Sequence, residues 1–274
     1  AFGLGFIIGP FMGGVLGSIS LRLPFFVAAG LTLLNAAWGF FVLPESLPPE
    51  RRRAFEWKRA NPLGTLKALG RYPLVRALIA PVFTGYLAQR CLENNWVLAN
   101  GERFGWDQRA SGISLAMVGL ASAVVQGGLV RRIVPAMGER RAYLLGLGVA
   151  AVAFAGYGFA PTPTWVYVII PFGALAGMIG PSVQAILSHG VPGNEQGMLQ
   201  GGLTSLQSVS SILGPLLANG AFAYFVAEEA PVHLPGAAFL VGALLWVVSL
   251  VLSVRAFARH PVKSAPGATG ETSA

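Results

Sequence analysis

Charge is what this sequence has least of. Of its 274 residues only 11% are Asp, Glu, Lys or Arg, against 54% hydrophobic, and the runs 24–43, 110–130, 196–227 and 235–254 carry no charge at all. That scarcity excludes an ordinary soluble domain and is the composition of a membrane protein. A single cysteine, Cys91, excludes an internal disulfide and leaves the redox compartment open. The three histidines, His189, His233 and His260, stand too far apart for metal-ligand spacing. There is no Walker loop to bind ATP, and the "GxxxxGP" elements have no basic residue beside them. Ser188, His189 and Glu195 supply the residue types of a triad, but a loop offers no oxyanion hole or oriented base. The chain is therefore read as no enzyme, with no cofactor and no metal.

What the sequence has instead is oil in lengths that fit a bilayer. Roughly 20 apolar residues cross the hydrocarbon, and the four uncharged runs meet that length. The uncharged stretch 142–188 is more than twice as long and is broken by "APTPT" at 160–164, so it is read as two spans. The run before Arg22 is another, and 73–100, interrupted by Arg76, Arg90 and Glu93, is the eighth. The front end lacks the basic start and cleavage site of a signal peptide, so the chain is expected to begin inside a span. With eight spans, one side of the membrane holds 15 of the 19 Lys and Arg, in the linker after Leu43, the loop 131–141 and the C-terminus. By the positive-inside rule that side is cytoplasmic, in the plasma (inner) membrane. The net charge of +8 is thus mostly a topology signal and not a nucleic-acid surface.

The chain opens with "GLGFIIGPFMGG", whose Gly5, Gly9, Gly13 and Gly17 fall four apart, with Pro10 and Gly14 among them. Residues four apart share a helix face, so these glycines form a ridge without side chains. In lipid such a ridge drives close helix contact, and a neighbour can cover the carbonyl that Pro10 frees. "SILGPLLANG" at 211–220 resembles "FIIGPFMGGV" at 6–15, with Gly214-Pro215 matching Gly9-Pro10 at a distance of 205 residues. The following spans agree, one opening at Pro24 and the other at Pro235. A six-helix repeat follows. On this reading residues 1–43 are the last two spans of an N-terminal half, 44–72 a basic cytoplasmic linker, 73–259 a complete six-helix half and 260–274 a disordered cytoplasmic tail. Four helices are expected before residue 1. Within the linker, 54–69 reads either as an amphipathic surface helix carrying Phe55, Trp57, Leu63 and Leu66 or as a solvated tether.

Two six-helix halves, a basic linker and "GFIIGPFMGG" in the fifth helix resemble the major facilitator superfamily, in particular its twelve-span drug/proton antiporters. "LPESLPPERRR" at 43–53, "RFGW" at 103–106, "MGERRAYLLGL" at 137–147 and "EQGMLQGGLTSLQSVSSILGPLL" at 195–217 are similar to the tetracycline-resistance efflux group. The resemblance implies an all-α polytopic fold with eight of its twelve transmembrane helices present. It implies Gly5, Gly9, Pro10, Gly13, Gly14 and Gly17 as the antiporter motif. It also has departures: tetracycline pumps carry a functional aspartate where this chain has a residue near Ala150, and Pro135 replaces a common loop carboxylate.

Ionisable groups inside a span are functional candidates by default, and here these are Arg90 and Glu93, three apart on one helix face. Either they couple transport to protons, or Glu93 simply neutralises Arg90 near the interface. Neutral polar residues within spans are Asn35, Asn94, Asn95, Gln126, Gln184, Gln200, Gln207 and Asn219. The family's seventh, eighth, tenth and eleventh helices line its cavity, which selects Asn94, Gln126, Gln184 and Gln207 as the substrate pathway, or alternatively as interhelical glue. Trp96, Phe83 and Tyr86 are candidates to stack on a planar substrate. The expected function is secondary active, proton-coupled efflux of a drug-like or tetracycline-like small molecule by alternating access. Its partners are that substrate, protons and the lipid bilayer, and the complete protein is expected to be monomeric. The alternatives are an inactive or assembly-only remnant, and a uniporter or importer on the same fold.

Overall fold

The structure, a computed structural model, describes residues 22–43 and 69–260, together with Gly64 and nine positions between 8 and 20. Every regular element among the described residues is helical. The first is α1, Leu23–Val42, followed after the linker by α2, Pro73–Phe104. Pro73 opens α2 at the first helical position, where its missing N–H costs nothing. Gly105 closes it in the left-handed conformation at φ 63°, and its amide donates to the Gly101 carbonyl at 2.9 Å. The helix α3, Gln108–Met137, starts on an Asp107 cap whose Oδ1 accepts from the Ala110 amide at 2.7 Å. After it come α4, Glu139–Phe159, and α5, Pro163–His189, separated at the break that "APTPT" marks. The last two are α6, Gln196–Val226, and α7, Ala237–Arg259.

Two of these helices are irregular at mid-length. A π turn interrupts α3 at Val125–Leu129, a 3₁₀ turn interrupts α5 at Leu175–Met178, and the two turns pack on each other. Around them α2 lies against both α6 and α7, α7 against α4, α4 against α5, and α5 against α3. One end of the bundle is filled by Leu78, Tyr143, Leu147, Ile186, Leu199 and Phe257, and the other by Trp96, Tyr157, Ile170 and Phe239. The outward faces are as apolar as the core, with Leu120, Val168, Ile212 and Leu216 exposed, as a helix surrounded by lipid requires. No residue of α1 is buried.

Among the described residues six helices are long and apolar enough to cross a membrane: α1, α3, α4, α5, α6 and α7. The expected total of eight is therefore not reached by composition. At 32 residues α2 has the length, but Arg76, Arg90, Glu93, Glu102 and Arg103 lower its hydropathy. The run before Arg22 lies for the most part outside the described residues, although Ile8, Gly9, Met12, Gly13 and 15–17 are helical. The surface helix considered for 54–69 falls outside them except for Gly64 and Leu69, and so does the tail after His260.

Candidate functional site: a cavity inside the helix bundle

The irregular turns of α3 and α5 border a cavity of about 890 Å³ to which all six helices α2 to α7 contribute. The π turn adds one residue to a helical turn and places Gln126 beside the 3₁₀ turn, where a Cβ on Gly177 would stand 3.4 Å from Gln126 Cγ. Non-helical backbone at membrane depth is tolerated where it is buried in protein or lines a cavity, and both turns satisfy that condition. Further along α5, Gln184 lines the same space, as do Gln207 of α6 and Tyr86 of α2. Aromatic walls come from Tyr86, Trp96, Phe154, Tyr157 and Trp246. The Trp96 ring is fixed by its own N–H, which donates to Ser114 Oγ at 2.9 Å, and by edge-to-face contact with Tyr157 at 5.1 Å.

Glu93 also lines the cavity, on α2. Arg90 donates to Glu93 Oε2 at 2.5 Å, and Gln89 donates to Oε1 at 3.3 Å. Arg90 itself is not part of the cavity wall. Its stem lies against Gly214 of α6, where an added Cβ would collide with Arg90 Cβ and Cγ. The second Gly-Pro copy thus serves a close approach of two helices beside the Arg90–Glu93 pair of α2.

Of the four amides expected in the pathway, the structure gathers Gln126, Gln184 and Gln207 in one cavity and leaves Asn94 out. Asn94 donates to the Arg90 carbonyl at 2.9 Å, satisfying its own helix. Asn95 is fully buried against Asn219, to which it donates at 3.2 Å. Of the three aromatic candidates, Tyr86 and Trp96 line the cavity and Phe83 packs against the core beside it. Gln89, Ser122, Tyr143 and Ser249 line it as well and were not among the sequence candidates. Their signal is present in one case, since Gln89 is four residues before Glu93 and so on its face.

Of the residues expected to form an antiporter motif, Gly9, Gly13 and Gly17 are helical, and among the described residues a Cβ on any of them would meet nothing within 4 Å. Gly5, Pro10 and Gly14 lie outside the described residues.

At the end of the bundle where α2 begins, the three triad-type residues go to separate partners. Ser188 donates to Gln196 Oε1 at 3.0 Å, and the Gln196 amide donates back to the carbonyls of Ser188 and Val191 at 2.8 and 3.0 Å. His189 Nδ1 stands 3.5 Å from Glu139 Oε2. Glu195, in the turn before α6, accepts from the Tyr72 hydroxyl at 2.6 Å and pairs with Arg71. The hydrogen bond from Tyr72, followed by that from Arg71, holds the Glu195 carboxyl below its ordinary range. These contacts tie the start of α2 to the turn between α5 and α6. At the opposite end Arg103 donates to the carbonyls of Tyr157 and Ala160, closing the open C-terminus of α4.

This geometry has known relatives. The model of the Major Facilitator Superfamily matches residues 1–215 and 136–272. The chain is 34% identical over 253 residues to the class C tetracycline resistance protein of Escherichia coli, covering 91% of this chain and 61% of that protein. It is 31% identical over 274 residues to the class B protein of Escherichia coli, covering 66% of it. To the human hippocampus abundant transcript 1 protein it is 25% identical, over 90% of this chain and 55% of that protein. Among solved structures it is similar to the human organic anion transporter MFSD10, with a TM-score of 0.74 at 25% identity over 92% of this chain and 61% of that one. The chain spans between 61% and 66% of the tetracycline resistance proteins it matches. An all-helical multi-pass bundle around a central cavity, and a family match running nearly from end to end, have one conclusion: this chain belongs to the Major Facilitator Superfamily, a family of transporters and not of enzymes.

Proposed function

We propose that the chain is the greater part of a proton-coupled exporter of a drug-like small molecule, working by alternating access. The observation that carries this reading is the cavity of about 890 Å³, mainly apolar and aromatic, with a few amides and one carboxylate converging on it. A site of that make-up holds a drug-sized ligand by its apolar surface and orients it through a small number of hydrogen bonds. Similarity above 30% to tetracycline resistance proteins supports export as the direction. In this reading 1–43 ends the N-terminal half, 44–72 is the cytoplasmic linker, and 73–259 rocks as a unit against the other half in the plasma membrane. The Gly9, Gly13 and Gly17 ridge, open on the described side, is the surface on which the opposite half closes. Arg90 and Glu93 are the candidate coupling pair.

The likeness to a human organic anion transporter favours a second reading, a uniporter of anionic cargo on the same fold. Export of a fluorescent dye from cells expressing the complete gene separates the two. An antiporter loses its export when a proton uncoupler is added, whereas a uniporter keeps moving dye down its gradient at the same rate.

A further inference from the structure

We propose that the start of α4 and the end of α7 form a binding site for an anionic phospholipid, with Arg140, Arg141, Arg255 and Arg259 holding its headgroup phosphate. The Arg140 guanidinium lies over the Phe257 ring, 5.1 Å from its centre, which puts the first turn of α4 and the last turns of α7 at the same end of the bundle. All four arginines are exposed, and none of them has a hydrogen bond or an ion pair among the described residues. The carboxylates described at that end are already engaged, Glu139 with His189 and Glu195 with Tyr72 and Arg71. Four positive charges on two packed helices thus have no counter-charge among the described residues.

A guanidinium lying over a ring spends its flat face there, and its N–H donors remain along the edge for a pair of phosphate oxygens. Phe257 is itself buried, so Arg140 is held in place while its donors stay free. The surface next to the arginines favours a lipid over a free phosphate. On α7 Leu244, Val248, Val251 and Arg255 fall four, three and four residues apart and so share a face, and the three apolar side chains are exposed. On α4 the exposed Leu145 and Val152 follow Arg141 at four and eleven residues, again on one face. Each stripe runs from charge into hydrocarbon, which matches a phosphate with acyl chains attached. A zwitterionic lipid brings its own cation to this surface, whereas an anionic one balances the surplus. The opposite end has no such surplus: Arg103 is committed to two carbonyls, and Arg109 stands with Glu102, Asp107, Glu228 and Glu229 in the turns of that end.

Titration of the intact protein in neutral detergent with phosphatidylglycerol or phosphatidylcholine of the same acyl chains, with retained lipid read by native mass spectrometry, tests the proposal. Phosphatidylglycerol should bind at least tenfold more tightly than phosphatidylcholine, and millimolar glycerol phosphate, the headgroup without chains, should not displace it. Arg140→Gln combined with Arg255→Gln should raise the phosphatidylglycerol Kd at least tenfold, while Arg109→Gln at the opposite end keeps it within about threefold. If loss of the contact with Phe257 prevents that protein from folding, Arg141→Gln combined with Arg255→Gln, which leaves the contact intact, should raise the Kd at least fivefold. Equal binding of the two lipids, or an unchanged Kd in either folded double variant, overturns the site. Displacement by glycerol phosphate at the lipid's own concentration overturns the lipid as its occupant in favour of a free phosphate.

Discussion

Single side chains close the ends of this bundle. Arg103 offers a planar fork of donors to two carbonyls at the end of α4, a task that a lysine ammonium meets with one point charge. Arg103→Ala leaves both carbonyls without that partner, and the thermal unfolding midpoint in detergent should fall by the equivalent of about 2 kcal/mol, with Arg103→Lys in between. At the other end Glu195 carries the pH dependence. Its folded pKa lies below its ordinary value, chiefly because Tyr72 donates to it and then because Arg71 does. The contribution to stability is therefore full above the unfolded carboxylate value and is lost as pH falls through the lower folded one. The unfolding midpoint should drop between those two values, and Glu195→Gln should flatten that part of the profile. Neither role was legible in the sequence, where Arg103 entered only as the first residue of "RFGW" and Glu195 as a stray triad type. Each depends on a partner 54 or more residues away.

Between helices, the two Gly-Pro copies read alike in sequence and differ in the fold. Gly214 is filled by Arg90, whose Cβ and Cγ cannot give way as a side-chain tip would, and Gly9 faces open space on the described side. Gly214→Ala should destabilise by about 2 kcal/mol through overpacking and disturb the Arg90–Glu93 pair, measurable as a lower unfolding midpoint. Gly9→Leu should leave expression and midpoint nearly unchanged and abolish proton-coupled transport, because its proposed partner is the opposite half. Transport that persisted unchanged in the complete protein would remove that role. The spacing of the glycines shows that a close contact is intended, and says nothing of which helix makes it. The irregular turns of α3 and α5 were equally hidden. Gly127, Gly128 and Gly177 allow them, but a π or 3₁₀ turn arises where two helices press together, and only the fold brings Gln126 to Gly177.

Across the whole molecule, hydropathy and charge asymmetry were the legible signals. Helix ends followed the uncharged runs to within seven residues, because burial in hydrocarbon is decided by composition over a long window. α2 resisted that reading since it is the helix that carries charge toward the cavity. Of the amides singled out in the apolar runs, Gln126, Gln184 and Gln207 share one cavity and Asn94 does not line it, because spacing alone does not tell a cavity face from one satisfied by its own backbone. The account as a whole stands on proton exchange through this cavity. The direct measurement uses the intact protein in liposomes enclosing a pH-sensitive dye, with an exported substrate added on one side. Protons should move opposite to the substrate, and a proton ionophore should abolish its accumulation. Substrate crossing at an unchanged rate with no proton movement would contradict the account.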